Sequence, residues 1–482
     1  MSKLSNLTIV KAKELLLNKE ISAGELVSHY LKVIKDRNKD INAYLEVYDD
    51  AASQAEKADE IIAKGGDKPL LGIPLAVKDN ILIEGKTCSA GSKMLQNYKA
   101  VYDATAVGKL KEAGAIFLGR TNMDEFAMGA STETSAFGPT KNPLDPSRVP
   151  GGSSGGIAAA VAMDSCVAAL GSDTGGSIRQ PAAFCGITGL NPTYGAVSRN
   201  GLIAMASSFD QIGPMTKNVE DAEIIFDVIK GRDEMDSTTA DERHSKVKER
   251  VEKGRIRVGI LKYDKNGVDK EINEAMERAA KIFANDLGWE VAEIELPNIK
   301  YSVSCYYILV PAEVSSNMAR FDGIRYGQFK EGKTLTEDYM KTREIGFGME
   351  VRRRIMLGTY VLSAGYYDAY YAKAQKVRGL IKQDFEKAFT KSGIDLIASP
   401  TSPSVAFKIG ERINDPLKMY LEDIFTAPAK IAGLPAMSIP SGLKGEGGMP
   451  IGLHFTAPAF GEKLLFEAAK KYEHTFPGSK IS

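Results

Sequence analysis

Two glycine-rich turns present serine on either side of an apolar segment. The first is Gly151-Gly152-Ser153-Ser154-Gly155-Gly156 and the second is Asp173-Thr174-Gly175-Gly176-Ser177. A tight glycine turn lets a ligand approach the backbone and leaves N–H groups free, a setting that suits a nucleophile. A serine hydroxyl also needs a base. Of the four histidines, His29, His244, His454 and His474, none lies in such a turn, although His454 follows a Gly-Leu pair and stays open. Ser177 stands in G-G-S-I-R, not in a G-x-S-x-G elbow. A buried lysine is the other route, because a low dielectric lowers its proton affinity. Lys78 is the candidate: it ends the apolar run Leu71–Val77 and leads into Asp79-Asn80. Read by itself it is better taken as a structural ion-pair partner of an aspartate; beside two serine turns the balance shifts towards the base. Neither turn carries a phosphate-cradling pattern, since G-x-x-x-x-G-K-[ST] and G-x-G-x-x-G are both missing.

With GGSSGG and GSDTGGSIR around the two serines, the set Lys78, Ser153 and Ser177 resembles the amidase signature family. The signature stretch runs from roughly Leu71 to Gly201, about a quarter of the chain. The phrases at 201–222, 346–371 and 420–442 are similar to those of the branch that serves as glutaminase subunits of tRNA-dependent amidotransferases. The resemblance implies an α/β fold with a large mixed β-sheet covered by helices on both faces. It implies Ser177 as acyl-forming nucleophile, Ser153 as a bridging serine after a cis peptide bond, and Lys78 as the neutral base. The N–H groups of Thr174, Gly175, Gly176 and Ser177 would then form the oxyanion hole. Of Arg352, Arg353 and Arg354, the resemblance selects Arg354 as clamp for the glutamine carboxylate, and Asp423 as partner of its α-amino group. It further implies that ammonia passes to partner subunits B and C of a heterotrimer, where ATP and magnesium serve the amidation of Glu-tRNA(Gln). No cofactor or metal is expected in this chain. Asp173 and Arg179 bracket Ser177 and are expected to brace its loop. Three positions depart from the family pattern: Asn191 stands where lysine is common, Ile157 where a small residue is commoner, and His454 where glutamine is usual. A freestanding amidase of the same family would share the catalytic core; Arg354, Asp423 and the 346–371 phrase distinguish it. A binding scaffold without turnover is disfavoured by the intact Lys78-Ser153-Ser177 set.

Lys+Arg and Asp+Glu both number 62, so formal net charge is zero and no general attraction to nucleic acid or membrane follows. For the same reason the basic stretch Lys341–Arg354 is read as a solvated helix face with one buried arginine rather than an RNA contact. The four cysteines, Cys88, Cys166, Cys185 and Cys305, form no C-x-x-C pair and read as buried free thiols. No apolar run approaches the length of a membrane span, and the N-terminal segment reads as an amphipathic helix, so a cytoplasmic protein is expected.

These groups need rigid elements to hold them. Residues 8 to about 64 read as a helical layer, with Thr8 and Ser22 as caps and Glu25 closing a capping box. Leu71–Val77 reads as the strand that delivers Lys78, Ile157–Met163 as an Ala-rich buried helix, and Cys166–Leu170 as the strand before the second serine turn. Met123–Thr134 reads either as a polar loop or, by the resemblance, as a wall of the acyl pocket. Gly186–Pro214 reads as loops around the site. A β-α-β unit is expected over 256–296, helices over 301–390, and final strands at 394–398, 434–440 and 451–455 before a closing helix at 463–472. One domain spanning 1–482 is expected, with a helical layer at 1–66, the catalytic core at 71–222 and an exposed charged connection at 232–254.

Overall fold

The apolar run before Lys78 becomes an inner strand of a mixed sheet, buried along its whole length. In the computed structural model, residues 3–240 and 256–476 are described. Eleven strands pair: β1 (Tyr44–Val47), β2 (Pro74–Lys78), β3 (Ile116–Thr121), β4 (Ala168–Asp173), β5 (Thr188–Asn191), β6 (Gln211–Thr216), β7 (Arg257–Leu261), β8 (Glu290–Ile294), β9 (Leu396–Pro400), β10 (Ala436–Lys444) and β11 (Pro450–Thr456). Their order is β1-β3-β2-β4-β6-β5-β10-β11-β9-β7-β8. The inner strands β2, β4, β5 and β6 are buried on both faces, so helices must cover the sheet above and below. This is the α/β fold with a large mixed sheet that the sequence implies.

Strand direction decides where the chemistry lies. β2 runs parallel to β4, with Val77 opposite Leu170. Their C-terminal ends therefore emerge at the same edge, and Lys78 arrives beside Ser172 and Asp173. The first serine turn reaches the same place because it opens the helix Gly155–Ala162, whose residues are small enough to lie against β4. Ile157 is accommodated there: its Cδ1 lies over Gly171, 2.4 Å from where a Cβ on that residue would stand.

The N-terminal caps form as expected. Thr8 accepts from the Lys11 N–H, and Ser22 and Glu25 close a reciprocal capping box. The expected β-α-β unit is present, with β7 and β8 parallel and the helix Lys270–Asn285 between them in the chain. Two differences stand out. β1, only four residues long, lies between helices and is too short to show a period in sequence. Residues 186–214, expected as loops, contain β5 and the start of β6; Gly213 and Pro214 mask the latter as a turn, yet it is fully buried. Of the charged connection at 232–254, residues 241–254 lie outside the described residues; 232–240 is mostly exposed. Among the described residues no helix is long and apolar enough to cross a membrane.

Candidate active site

Lys78 is fully buried, and its Nζ donates to Ser153 Oγ at 2.8 Å, Ser172 Oγ at 2.9 Å and the Ser172 carbonyl at 3.2 Å. Among the described residues no carboxylate pairs with it, so the ion-pair alternative falls away. Burial pulls its pKa down to about 7, only partly opposed by the fields of Asp124, Asp173 and Asp210. A neutral lysine is therefore accessible near neutral pH, hydrogen-bonded to a serine.

The peptide bond Gly152-Ser153 is cis. Around it, the Gly152 N–H donates to Gln180 Oε1 at 3.0 Å, and the Asp124 N–H donates to the Ser153 carbonyl at 3.2 Å. The Asp124 carboxylate collects the N–H groups of Ser131, Thr132 and Thr134 and so ties the 123–134 loop to the first serine turn. The two serine turns are joined directly, because the Ser154 N–H donates to the Ser177 carbonyl at 3.2 Å.

Ser177 is 7% exposed whereas Lys78 and Ser153 are at 0%, so Ser177 is the outermost of the three residues. Among the described residues no group accepts from the N–H groups of Thr174, Gly175, Gly176 or Ser177. They remain available to a developing oxyanion. The loop is pressed close against its surroundings. A Cβ at Gly175 would stand 2.6 Å from Tyr306 Oη, and one at Gly176 would stand 2.3 Å from Thr426 Oγ1 and 3.3 Å from Asp423 Oδ1. Only glycine permits that approach. Thr174 Oγ1 donates to Asp210 at 2.8 Å, which anchors the start of the loop.

Asp173 and Arg179 form a fully buried, two-pronged ion pair: Nε and Nη2 each lie 3.0 Å from one carboxylate oxygen. Burial alone would raise the Asp173 carboxyl, but the guanidinium overrides it and holds the group below its usual value. Asp173 also accepts from the Ile178 N–H at 3.1 Å and so closes the turn that carries Ser177. The expected bracing pair is thus formed. Arg179 Nη1 extends to the Thr426 carbonyl at 2.9 Å and to His454 Nε2 at 3.0 Å. Burial and this guanidinium push His454 well below its ordinary pKa. Held between Arg179 and Ser399, it contacts neither Ser153 nor Ser177, so it is not their base.

A second wall comes from the helical part of the chain. Arg354, on the helix Met349–Leu362, is buried, whereas Arg352 is exposed and Arg353 half-buried. Its guanidinium lies over the rings of Tyr307 and Tyr420, 5.1 and 5.5 Å from their centroids, and its Nε donates to Glu350 at 2.8 Å. Tyr307 Oη in turn donates to Asp423 at 2.8 Å. Burial lifts the Asp423 carboxyl to about 6. A cavity of ≈ 180 Å³ opens beside Arg354; Glu125, Ala130, Ser131 and Thr134 line it from the opposite side. Part of the 123–134 loop thus lines the cavity beside Arg354. Asp124, Ser172, Asp210, Tyr306, Tyr307 and Glu350 are not picked out by sequence reasoning, because each acts through a contact made only on folding.

A buried lysine hydrogen-bonded to one serine, with a second glycine-rich serine turn joined to the first through the backbone, is an arrangement suited to amide cleavage, and the chain belongs to the amidase signature family, whose Amidase model matches residues 25–466. A protein of Caldanaerobacter subterraneus subsp. tengcongensis, named as the A subunit of glutamyl-tRNA(Gln) amidotransferase, is 52% identical over 480 residues, covering 98% of this chain and 97% of that protein. The crystal structure of the glutamyl-tRNA(Gln) amidotransferase A subunit from Thermotoga maritima superposes with a TM-score of 0.80 at 42% identity, over 99% of this chain and 96% of that one. A peptide amidase from Stenotrophomonas maltophilia superposes with a TM-score of 0.81 at 29% identity, covering 97% and 96%.

Proposed function

We propose that this chain is the glutaminase subunit of a tRNA-dependent amidotransferase that serves Glu-tRNA(Gln). The carrying observation is that the buried lysine and the two serine turns lie against a wall holding one buried arginine and one buried carboxylate. Those are the two charges that an α-amino acid substrate needs. Near-identity in length and 52% sequence identity to a protein of that name support the same reading.

In this mechanism Ser177 Oγ attacks the side-chain amide carbon of glutamine. Its proton passes to Ser153 as the Ser153 proton passes to neutral Lys78. The N–H groups at 174–177 stabilise the oxyanion, worth about 3–4 kcal/mol for one such donor. The tetrahedral adduct collapses, the C–N bond breaks, and the proton returned from Lys78 through Ser153 goes to the departing nitrogen, giving ammonia. Water then attacks the γ-glutamyl ester, frees glutamate and restores Ser177. Arg354 binds the α-carboxylate, for which a planar guanidinium is apt, and Asp423 the α-ammonium.

Ammonia is delivered to partner subunits B and C, which supply ATP and magnesium chemistry, and the complex works in the cytoplasm. The helices Leu335–Gly346 and Met349–Leu362 expose Leu335, Met340, Met349 and Met356, an apolar surface that supports a role within a larger complex. The test is glutamine-dependent ammonia release by the chain alone and by the assembly with B and C, ATP and Glu-tRNA(Gln). Release that rises strongly in the assembly and vanishes in Ser177→Ala is expected. Equal release with and without partners, or turnover only of another amide, overturns the reading in favour of a freestanding amidase.

A further inference from the structure

The mechanism above leaves a second enclosed lysine unused. Lys430 sits on the short helix Ala427–Ala432, is 3% exposed, and donates from Nζ to Asn191 Oδ1 at 2.9 Å. Asn191 ends β5, and its Nδ2 donates to the Leu434 carbonyl at 3.3 Å. The two residues thus tie the end of that helix to the sheet.

The opposite end of the same helix forms the ceiling of the catalytic loop. Thr426 Oγ1 stands where a Cβ on Gly176 would go, its carbonyl accepts from Arg179 at 2.9 Å, and Asp423 lies one turn earlier. Any shift of the helix along the sheet would move Thr426 and Asp423 against the oxyanion turn. Lys430 also lies within electrostatic reach of the Asp173–Arg179 pair, of Asp210 and of Arg199. Burial draws its pKa down to about 7, with the Asp173 carboxylate opposing the shift.

Lys430 thus brings an ammonium to the end of β5 from across the helix–sheet contact. We propose that Lys430 is a positioning residue for the Ser177 loop, and that Lys430 and Asn191 form a reciprocal pair in which the cation is carried by the helix instead of by β5. The pair holds the Ala427–Ala432 helix in register, and with it the ceiling over Gly176. The inference rests on the reading of Ser177 as nucleophile.

The exchange of the two side chains is the direct test, made in the assembled enzyme. Lys430→Gln keeps a hydrogen-bond donor for Asn191 and removes the charge. Lys430→Asn removes both reach and charge. Asn191→Lys brings two ammonium groups face to face. The double variant Asn191→Lys/Lys430→Asn restores one cation and one amide with the carriers reversed. Rates of Ser177 labelling by a fluorophosphonate, and kcat and KM for glutamine, are the readouts.

Each single variant is expected to lose about ten-fold or more in labelling rate and kcat, as a displaced catalytic loop does, with KM moving less. The double variant is expected to recover to within about three-fold of the parent, a coupling that independent sites would not give. Wild-type labelling and kcat in Lys430→Gln overturn the inference. So does a double variant as slow as Lys430→Asn while showing parental thermal stability. Loss of labelling in Ser177→Ala identifies the nucleophile separately, so a failure of the pair is distinguishable from a failure of the site.

Discussion

The floor and the wall of this site are built by different means. The floor comprises Lys78, Ser153 and the Asp173–Ser177 turn, held at one edge of parallel strands and by helices of small residues, with every supporting group buried. The wall comprises Arg354, Tyr307 and Tyr420, carried by helices, and Asp423 in the turn after Tyr420; the Arg354 helix exposes Met349, Met356 and Tyr360. On the floor, Lys78 Nζ and the Asp173 carboxylate are each fixed by three hydrogen bonds, as a precise geometry demands. On the wall, the recognition groups are fixed mainly to one another, through Arg354–Glu350 and Tyr307–Asp423. On the proposed function, the difference places the reaction type at the sheet and substrate choice in the helical wall.

If that division holds, substitutions on the floor cost turnover and those on the wall cost binding. The largest effect is expected from Ser177→Ala, which lowers glutamine hydrolysis by at least about 10⁴-fold in a steady-state ammonia assay. Lys78→Met removes the base and lowers kcat by about 10³-fold, with the fold retained by circular dichroism. Asp173→Asn leaves Arg179 buried without its counter-charge. It lowers turnover and destabilises the chain by about 3–5 kcal/mol in denaturant unfolding, as loss of one partner of a buried pair does. Unchanged kinetics would remove the bracing role.

Arg354→Lys keeps the charge but loses the planar fork, and raises KM for glutamine by about ten-fold with a smaller change in kcat. A fall in kcat alone would break the comparison by moving Arg354 to the floor. The smallest effect is one of pH. Asp423 must be ionised to hold an ammonium, and its carboxyl lies at about 6. KM is therefore expected to rise as pH falls through about 6, and Asp423→Asn to abolish that rise.

The floor was legible in sequence because its parts are local. GGSSGG, DTGGS and the apolar run into Lys78 each declare a turn or a strand by composition, and the family resemblance joins them. Arg179 was legible as a brace because it lies two residues from Ser177. The wall was legible only by phrase: a lone Arg354 or Asp423 looks like any surface charge, and Tyr307, which links them, lies 47 positions before Arg354 in an ordinary helix. β1 escaped notice because four residues carry no period, and β6 because its Gly and Pro mimic a turn. Lys430 was invisible for a related reason. The partner that gives it meaning, Asn191, is 239 residues away and reads in sequence only as a lysine lost.

The proposed acylation depends above all on Lys78 being neutral when Ser177 attacks. Its pKa of about 7 makes a definite claim, because the base form must be populated for that step. The direct measurement is the single-turnover rate of γ-glutamyl-enzyme formation from glutamine across the range from about pH 5.5 to about pH 9. A rate that rises with pH through an apparent pKa near 7, levels above it, and disappears in Lys78→Met is the predicted result. A rate independent of pH across that range, or one that survives in Lys78→Met, would contradict it.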